Sequence, residues 1–230
     1  MSIQTHDFST PAELVTVFSQ RIADTLRQAI SEKGSASLVV SGGSTPLPLF
    51  KALSSKPIDW SKVIITLADE RWVAPTDAAS NEKLVRDNLL QNEAAAGQFL
   101  ALKTAHENAE DAVAELNAAI KLIQMPFDVV ILGMGEDGHT ASLFPCSEQI
   151  SQGLDLNTQS VFIATQPTTA PHQRMSLTLK ALVSSANIFL HLTGDKKRAV
   201  LDDALANYTA IEKPITAVCT HANVELMWAP

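Results

Sequence analysis

Cysteine and net positive charge are both scarce in this sequence, and each shortage excludes a class of protein. The 230 residues include only two cysteines, Cys146 and Cys219, which are too few for a disulfide scaffold. The 17 Lys and Arg residues against 25 Asp and Glu residues give a net charge of −8. A nucleic-acid-binding protein needs a basic face, so we expect no nucleic-acid partner. Any anionic ligand must be bound by a local group of cations that acts against the overall charge.

The sequence also has no long apolar run. No stretch approaches the length that predicts a membrane-spanning helix, about 18 apolar residues. The segment from Met1 to Asp7 is polar and lacks the apolar run of a secretion signal. No linker, internal repeat or low-complexity tract divides the chain. We therefore expect a soluble, cytoplasmic protein that forms one domain over residues 1–230, without membrane attachment or an obligate protein partner.

Apolar spacing predicts that helices and strands alternate along the chain. Residues 10–13 form a capping box with proline at the first helical position, and apolar residues then recur every four positions as far as Gly34. Short apolar runs predict strands at residues 37–40, 63–67, 127–132, 161–164 and 188–192. Helix-length segments lie between them at residues 81–91, 107–123, 172–184 and 196–206. This alternation predicts a single-domain α/β fold of the Rossmann-like kind, a doubly wound and mostly parallel sheet with helices on both faces.

Ligands of such sheets bind beyond the carboxyl ends of the strands, where this chain has a glycine-rich loop. Gly42 and Gly43 follow the strand that is predicted to end at Val40, and both permit a backbone nest of N–H groups. Ser44 or Thr45 is placed to cap the next helix, with Pro46 at its first position. A nest at a helix N-terminus binds anions. The alternative is a tight turn with an ordinary helix cap.

Two further strand ends carry titratable side chains. Asp69 and Arg71 follow the strand at residues 63–67, where Arg71 offers bidentate contacts to phosphate or carboxylate. The alternative there is a solvated group of ion pairs. His139 follows the strand at residues 127–132 in a glycine-rich loop, two residues after Asp137. Histidine is suited to removing a proton from water, and a nearby carboxylate fixes its tautomer. A structural or merely exposed histidine is the alternative.

Two cations from the last third of the chain complete the predicted site. Arg174 begins the predicted helix at residues 172–184, and Lys197 follows the strand at residues 188–192. Both map to the same sheet edge as Arg71 and the glycine loop, so together they are able to hold a dianion. The alternative is that both are solvated surface charges.

Other catalytic patterns are absent or weak. The glycines of residues 133–138 match a dinucleotide-binding spacing, but Pro145 leaves too short a segment for the crossover helix. G-x-S-x-G does not occur, and no His, Cys or Asp spacing resembles a metal site. Cys146 is a weak candidate nucleophile opposite His139, and a small buried thiol is the favoured interpretation.

Six segments, in order, resemble the 6-phosphogluconolactonase family. They are SGGSTP from Ser41, ADERWV from Ala68, SN at Ser80, GMGEDGHTASLFP from Gly133, RMSLT from Arg174 and TGDKK from Thr193. The resemblance implies a parallel-sheet α/β fold shared with amino-sugar phosphate deaminases. It also implies hydrolysis of 6-phosphoglucono-1,5-lactone to 6-phosphogluconate in the oxidative pentose phosphate pathway, without a metal or organic cofactor.

The resemblance also assigns roles to residues. It implies that His139 is the base and that Arg71, Arg174 and Lys197 bind the sugar phosphate. The family's G-x-x-K spacing selects Lys197 rather than the adjacent Lys196. Backbone N–H groups of residues 42–45 are expected to contact the phosphate, and N–H groups near Gly42 and Gly135, or Arg71, are candidates for oxyanion stabilisation. Asp69 and Asp137 both remain candidates to orient His139 or the substrate hydroxyls.

Two alternative functions have different sequence signatures. An amino-sugar phosphate deaminase of the same fold is expected to carry GxxHxxFNEP and DEY, whereas this chain has TASLFP after His139 and DERW from Asp69. A non-catalytic sugar-phosphate sensor is expected to carry a DNA-binding helix-turn-helix, whereas the first 35 residues contain one predicted helix.

Overall fold

The computed structural model describes residues 3–230 and contains ten strands and eight α-helices within that range. Met1 and Ser2, which belong to the predicted polar N-terminal segment, lie outside the described residues. The strands are β1 (Ile3–Asp7), β2 (Ala36–Val40), β3 (Val63–Leu67), β4 (Asp69–Arg71), β5 (Gln98–Phe99), β6 (Val129–Leu132), β7 (Phe162–Thr165), β8 (Arg174–Leu177), β9 (Asn187–Thr193) and β10 (Val224–Ala229).

The helices occupy most of the segments between the strands. They are α1 (Pro11–Lys33), α2 (Leu47–Ser54), α3 (Asn81–Asn88), α4 (Ala109–Ala119), α5 (Ile150–Gly153), α6 (Leu179–Val183), α7 (Asp195–Asn207) and α8 (Ile215–His221). None of these helices, within residues 3–230, combines the length and apolarity needed to cross a membrane.

The first helix forms as its sequence predicts. The Thr10 hydroxyl accepts a hydrogen bond from the Glu13 backbone N–H at 3.2 Å, which satisfies one free donor of the first turn. At the other end Gly34 adopts a left-handed conformation at φ +82° and donates its N–H to the Ile30 carbonyl oxygen. Leu14, Phe18, Ile22 and Leu26 are fully buried, so the four-residue spacing marks the face that packs on the core.

Seven strands form one parallel sheet in the order β1-β10-β9-β6-β2-β3-β5. The connections from β1 to β2 and from β2 to β3 move toward the β5 edge, while those from β6 to β9 and from β9 to β10 move the opposite way. Because such crossovers are right-handed, α1 and α2 cover one face and α7 and α8 the other, and each pair is in contact. The prediction of a doubly wound sheet with helices on both faces is confirmed. The direction in which successive strands are added to the sheet reverses between β2 and β6.

A second sheet of three antiparallel strands, in the order β4-β8-β7, was not predicted. The predicted helix at residues 172–184 is wrong: Arg174 lies on β8, and the helix of this segment starts at Leu179 after the Thr178 cap. β8 is fully buried between β4 and β7, and this pairing supplies its backbone hydrogen bonds. The predicted strand at residues 161–164 exists as β7, but it belongs to this second sheet.

The remaining differences concern element ends and edge strands. The predicted strands at residues 37–40, 63–67, 127–132 and 188–192 correspond to β2, β3, β6 and β9. The predicted helix at residues 107–123 is shorter, because α4 continues as a 3₁₀ turn over Ile120–Leu122. The edge strands β1 and β5 and the strand β10 escaped prediction, since β1 is polar and β5 has only two residues.

A buried carboxylate joins the two central strands at their amino ends. Asp128, directly before β6, accepts hydrogen bonds from the Ser37 backbone N–H at 2.9 Å and from its hydroxyl at 3.1 Å. Its second oxygen pairs with the Lys33 ammonium at 2.5 Å. This arrangement fixes the register of β6 against β2 and anchors the end of α1.

The first prediction concerns this carboxylate. Asp128→Ala leaves a buried N–H and a half-buried ammonium without their partner, so we expect the free energy of unfolding to fall by about 2–4 kcal/mol. Urea denaturation followed by circular dichroism measures it. Asp24→Ala removes an exposed carboxylate that pairs with Arg27 on α1 and is the control, with little expected change. Equal losses in both variants would contradict this role for Asp128.

The second prediction concerns the buried His191 on β9. Its ring packs edge-on against Phe18, neither nitrogen has a hydrogen-bond partner within residues 3–230, and burial lowers its pKa from 6.5 to about 4. The unfolded chain therefore binds this proton more readily, so stability falls as the pH drops from about 6.5 to 4, by about 3 kcal/mol in total. In His191→Phe this contribution is absent. Denaturation curves across that pH range test it: as the pH falls, the wild type should lose more stability than His191→Phe. The exposed-residue control His172→Asn should lose as much stability as the wild type.

Candidate active site

A cavity of about 310 Å³ lies beyond the carboxyl ends of β2 and β6, where the strand order reverses. Loops after β2, β6 and β9 line it, together with the second sheet and the first residue of α3. The structure brings nine predicted site residues to this cavity: Gly42, Gly43, Ser44, Thr45, Asp69, Arg71, His139, Arg174 and Lys197. The tenth, Asp137, contacts one of them.

Asp137 holds the His139 side chain. The His139 ring nitrogen Nδ1 lies 2.5 Å from Asp137 Oδ1, and the same oxygen accepts the His139 backbone N–H at 3.1 Å. An ionised carboxylate accepts only, so Nδ1 carries the proton and Nε2 is left as the free acceptor nitrogen. Of the two carboxylates that the sequence left as candidates to orient His139, Asp137 is the one in contact with it.

The charge state of Asp137 supports this arrangement. Burial favours its neutral form, but the hydrogen bonds from the His139 ring and the His139 backbone N–H outweigh burial and lower the pKa of the carboxyl. The turn that carries the pair closes through the Gly135 N–H to the His139 carbonyl oxygen at 2.9 Å. A Cβ atom on Gly135 would lie 2.1 Å from His139 Nδ1, so only glycine allows this approach.

Phe144, which the sequence analysis did not single out, lies between His139 and Arg174. Its ring stacks on the His139 imidazole with centroids 4.1 Å apart and planes at 25°. The Arg174 guanidinium carbon lies 5.6 Å from the same ring. Phe144 therefore restricts both side chains. The sequence signal for it was its place in the GHTASLFP segment.

Two guanidinium groups lie side by side on the second sheet. Arg71 and Arg174 are directly paired in the β4–β8 register, so their side chains emerge on the same face. Arg71 donates to the Ala79 carbonyl oxygen at 2.7 Å and Arg174 to the Pro171 carbonyl oxygen at 3.1 Å. The Nε of each is buried without a partner among the described residues. Donors therefore remain available for an anion in the cavity.

The surroundings of Arg174 make this cation costly to keep without an anion. Burial is the largest effect that lowers the pKa of Arg174, and the charge of Arg71 lowers it further. Asp69 and Glu70 oppose this shift. An anion bound between the two arginines would relieve their repulsion.

The side chains of Lys197 and of its neighbour Lys196 lie in different surroundings. In the first turn of α7, Lys197 donates to the Met134 carbonyl oxygen at 2.7 Å, and burial lowers its pKa although Glu136 and Asp137 act against it. Lys196 pairs with Glu136 at 2.7 Å and its side chain is 73% exposed. Lys197 lines the cavity and Lys196 does not.

The glycine loop differs from its prediction in one respect. Gly43 has φ +99°, a conformation that suits a nest. However, α2 begins at Leu47 with Pro46 as its N-cap and no side-chain cap, so the predicted Ser44 or Thr45 cap is wrong. Ser44 and Thr45 therefore precede the helix, and both line the cavity.

The second candidate carboxylate, Asp69, bonds to Ser142 and not to His139. It is buried, and its Oδ2 accepts from the Ser142 hydroxyl at 2.5 Å. Its backbone oxygen accepts from the Asn81 side-chain amide at 2.8 Å. The Asp69 carboxylate thus has a fixed place beside Arg174, where its charge offsets that of the cation.

Glu70 is a buried carboxylate that the sequence analysis did not assign. It accepts from the backbone N–H groups of Arg71, Asn81 and Glu82 at 2.7, 2.8 and 2.7 Å, and from the Ser80 hydroxyl at 3.1 Å. Two of these donors are the free N–H groups at the start of α3. Burial raises the pKa of Glu70 despite these bonds. The carboxylate ties α3 to β4 and so fixes the positions of Arg71 and Asn81.

Cys146 is neither the predicted buried thiol nor a partner of His139. It is half-buried, its sulfur lies 3.2 Å from the Thr169 hydroxyl, and it does not line the cavity. Burial raises its pKa, but bonds from Thr169 and Thr168 bring the pKa down to about 7. Residues 3–230 contain no group of three or more His, Cys, Asp or Glu side chains arranged to hold a metal ion.

Comparisons with known proteins agree with this architecture. A family model described as Glucosamine-6-phosphate isomerases/6-phosphogluconolactonase matches residues 9–228. A 6-phosphogluconolactonase from Mesorhizobium japonicum is 43% identical over 225 residues, which cover 97% of this chain and 94% of the relative. The crystal structure of a 6-phosphogluconolactonase from Shewanella baltica is 45% identical and has a TM-score of 0.97, covering 100% of this chain and 98% of that one.

A monomeric glucosamine-6-phosphate deaminase shares the fold at a TM-score of 0.80 and 17% identity, covering 98% of this chain and 96% of that one. The predicted relation to amino-sugar phosphate deaminases is therefore confirmed for the fold. The family model spans nearly the whole chain, and the match to the Mesorhizobium relative covers 94% of that relative. The chain belongs to the glucosamine-6-phosphate isomerase/6-phosphogluconolactonase family.

Proposed function

We propose that this protein hydrolyses 6-phospho-D-glucono-1,5-lactone to 6-phospho-D-gluconate, the second step of the oxidative pentose phosphate pathway. The observation that carries the proposal is His139, held by Asp137 with Nε2 free, in a cavity that also contains Arg71, Arg174 and Lys197. A base and a group of cations in one cavity suit a neutral ester that carries a phosphate. The names of the relatives at 43% and 45% identity agree with this choice.

The chemistry needs an activated water molecule and no covalent intermediate. His139 Nε2 removes a proton from water as the water oxygen bonds to the lactone carbonyl carbon. The tetrahedral intermediate then collapses, the bond between that carbon and the ring oxygen breaks, and the released oxygen takes the proton as a hydroxyl group. General base catalysis of this kind contributes about 10²–10⁴-fold. Asp137 stabilises the imidazolium that forms between the two steps.

The negative charge that develops on the carbonyl oxygen needs donors. Arg71 has an unpartnered buried Nε, and backbone N–H groups near Gly42 lie at the same cavity, whereas the predicted Gly135 N–H already donates to the His139 carbonyl oxygen. Each well-placed donor contributes about 3 kcal/mol to transition-state stabilisation. The reaction as written uses no metal or organic cofactor.

The phosphate is bound at a distance from the reacting carbonyl. Arg174, Lys197 and the N–H groups of residues 42–45 supply charge-assisted hydrogen bonds for it. Arg71 belongs to the same cationic group and reaches the carbonyl end or the phosphate. Binding energy from the phosphate orients the lactone for attack.

The third prediction tests the function and its base together. The wild-type protein should release acid from freshly prepared phosphorylated lactone well above the spontaneous rate, as measured in a pH-stat. His139→Ala should lower kcat by about 10²-fold or more with little change in KM, because the base acts in the transition state. Ammonia release from glucosamine 6-phosphate, the deaminase reaction, should not exceed background.

The matched control for this variant is His172→Asn, an exposed histidine outside the cavity. It should retain the wild-type kcat. If His139→Ala stays within about threefold of wild type in kcat, His139 is not the base. If the wild-type protein releases ammonia and no acid, the deaminase activity replaces the proposed one.

The fourth prediction concerns phosphate recognition. Arg174→Ala and Lys197→Ala should each reduce kcat/KM for the phosphorylated lactone by about 10- to 100-fold, since each removes a charge-assisted hydrogen bond. Hydrolysis of unphosphorylated gluconolactone should barely change. Lys196→Ala is the adjacent control and should be close to neutral, because that side chain is exposed. Equal losses on both lactones would show that these cations serve catalysis or folding instead of phosphate binding.

A further inference from the structure

Asn81 places an unsatisfied acceptor at the cavity. The residue is 1% exposed, and its side-chain oxygen Oδ1 has no hydrogen-bond partner among the described residues. The Nδ2 group donates to the Asp69 backbone oxygen at 2.8 Å. A carbonyl oxygen accepts only, so this contact identifies the amide nitrogen and leaves Oδ1 on the other side. A buried acceptor without a donor is costly and calls for an explanation.

The position of Oδ1 is fixed from two directions. The backbone N–H of Asn81 donates to the Glu70 carboxylate at 2.8 Å, at the first residue of α3. On the cavity side, a Cβ atom on Gly42 would lie 1.9 Å from Oδ1, so the glycine loop approaches this oxygen closely. The glycine loop, Asp69 and Asn81 all line the cavity. Oδ1 is therefore a preorganised acceptor between the glycine loop and Asp69.

An acceptor oxygen selects the kind of group that binds it. The phosphate dianion, the lactone carbonyl and the ring oxygen of the proposed substrate accept hydrogen bonds and cannot donate. Its hydroxyl groups at C2, C3 and C4 are the donors. Arg71, Arg174 and Lys197 serve the acceptors of the same molecule, whereas Asn81 offers the opposite polarity.

We propose that Asn81 is a specificity-determining residue, whose Oδ1 accepts a hydrogen bond from one ring hydroxyl of the sugar lactone. This inference rests on the proposed function and extends it to the recognition of the hydroxyl groups. A site that is built to pair with a hydroxyl discriminates against an analogue without it, because its own polar group is then left unpaired. The residue thereby selects a hydroxylated ring, in addition to the selection for phosphate.

The test is a cycle between substrate and protein changes. The substrates are the phosphorylated lactone and its 2-, 3- and 4-deoxy analogues, and the proteins are the wild type and Asn81→Leu, whose side chain branches at the same carbon and has neither an acceptor nor a donor. We expect one deoxy analogue to lose about 10- to 100-fold in kcat/KM with the wild type, and Asn81→Leu to lose a similar factor on the parent lactone. For that analogue the two losses should not multiply, whereas for the other two analogues they should.

The controls separate recognition from folding. Asn88→Leu changes the same residue type on the same helix, where Asn88 bonds to the Leu84 carbonyl oxygen away from the cavity, and it should behave as wild type on all four lactones. If Asn81→Leu fails to fold, as judged by circular dichroism, Asn81→Ser replaces it in the cycle. The deoxy series on the wild type alone still overturns the proposal if no analogue loses activity.

Three outcomes would overturn the proposal. In the first, the wild type uses all three deoxy analogues as well as the parent lactone. In the second, the variant loses the same factor on every lactone, which indicates a structural role or a water molecule on Oδ1. In the third, the variant matches the wild type on the parent. A wild-type protein that does not hydrolyse the parent lactone at all contradicts the proposed function instead, so the two failures are distinguishable.

Discussion

The buried Glu70 carboxylate is the contact on which the rest of the site depends. It gathers two N–H groups at the start of α3, the Ser80 hydroxyl and the Arg71 backbone N–H around one charge. Without it, the first turn of α3 would keep only the Asn81 side-chain bond to the Asp69 backbone oxygen as its hydrogen bond to β4, and the positions of Arg71 and Asn81 would be less fixed. Its raised pKa shows that burial acts against the charge, which the helix N-terminus and the four donors then stabilise.

The cavity contains three cations, Arg71, Arg174 and Lys197, in a chain whose net charge is −8. Arg71 and Arg174 are paired across two strands, so the second sheet holds their backbone positions side by side. Asp69 offsets part of their charge but is itself bonded to Ser142. The positive potential of the cavity therefore depends on the strand register that pairs the two arginines, and a bound anion would neutralise part of it.

The parts of the site that the sequence predicted are those that local chemistry specifies. The glycine loop after β2 and the His139 loop after β6 follow from apolar runs that end in glycine, and the switch point of the parallel sheet brings them together. The strand that carries Arg174 was mistaken for a helix, because its partners β4 and β7 are not its neighbours in sequence and only their pairing makes it a strand. Which of Asp69 and Asp137 orients His139 does not follow from the sequence either, because it depends on which carboxylate lies next to the ring nitrogen Nδ1 in the folded structure.

The two sheets supply different kinds of chemical group to the cavity. The parallel sheet presents backbone groups and the His139–Asp137 pair at its switch point, where loops are short and glycine permits close approach. The antiparallel sheet and α3 present charged and amide side chains across the same cavity. In the proposed function the cations bind the acceptor groups of a sugar phosphate, and the amide oxygen of Asn81 accepts a hydrogen bond from a hydroxyl group. A ligand that carries both kinds of group would pair with the guanidinium groups and with the Asn81 oxygen, whereas a simple anion or a neutral sugar would leave one of the two kinds unpaired.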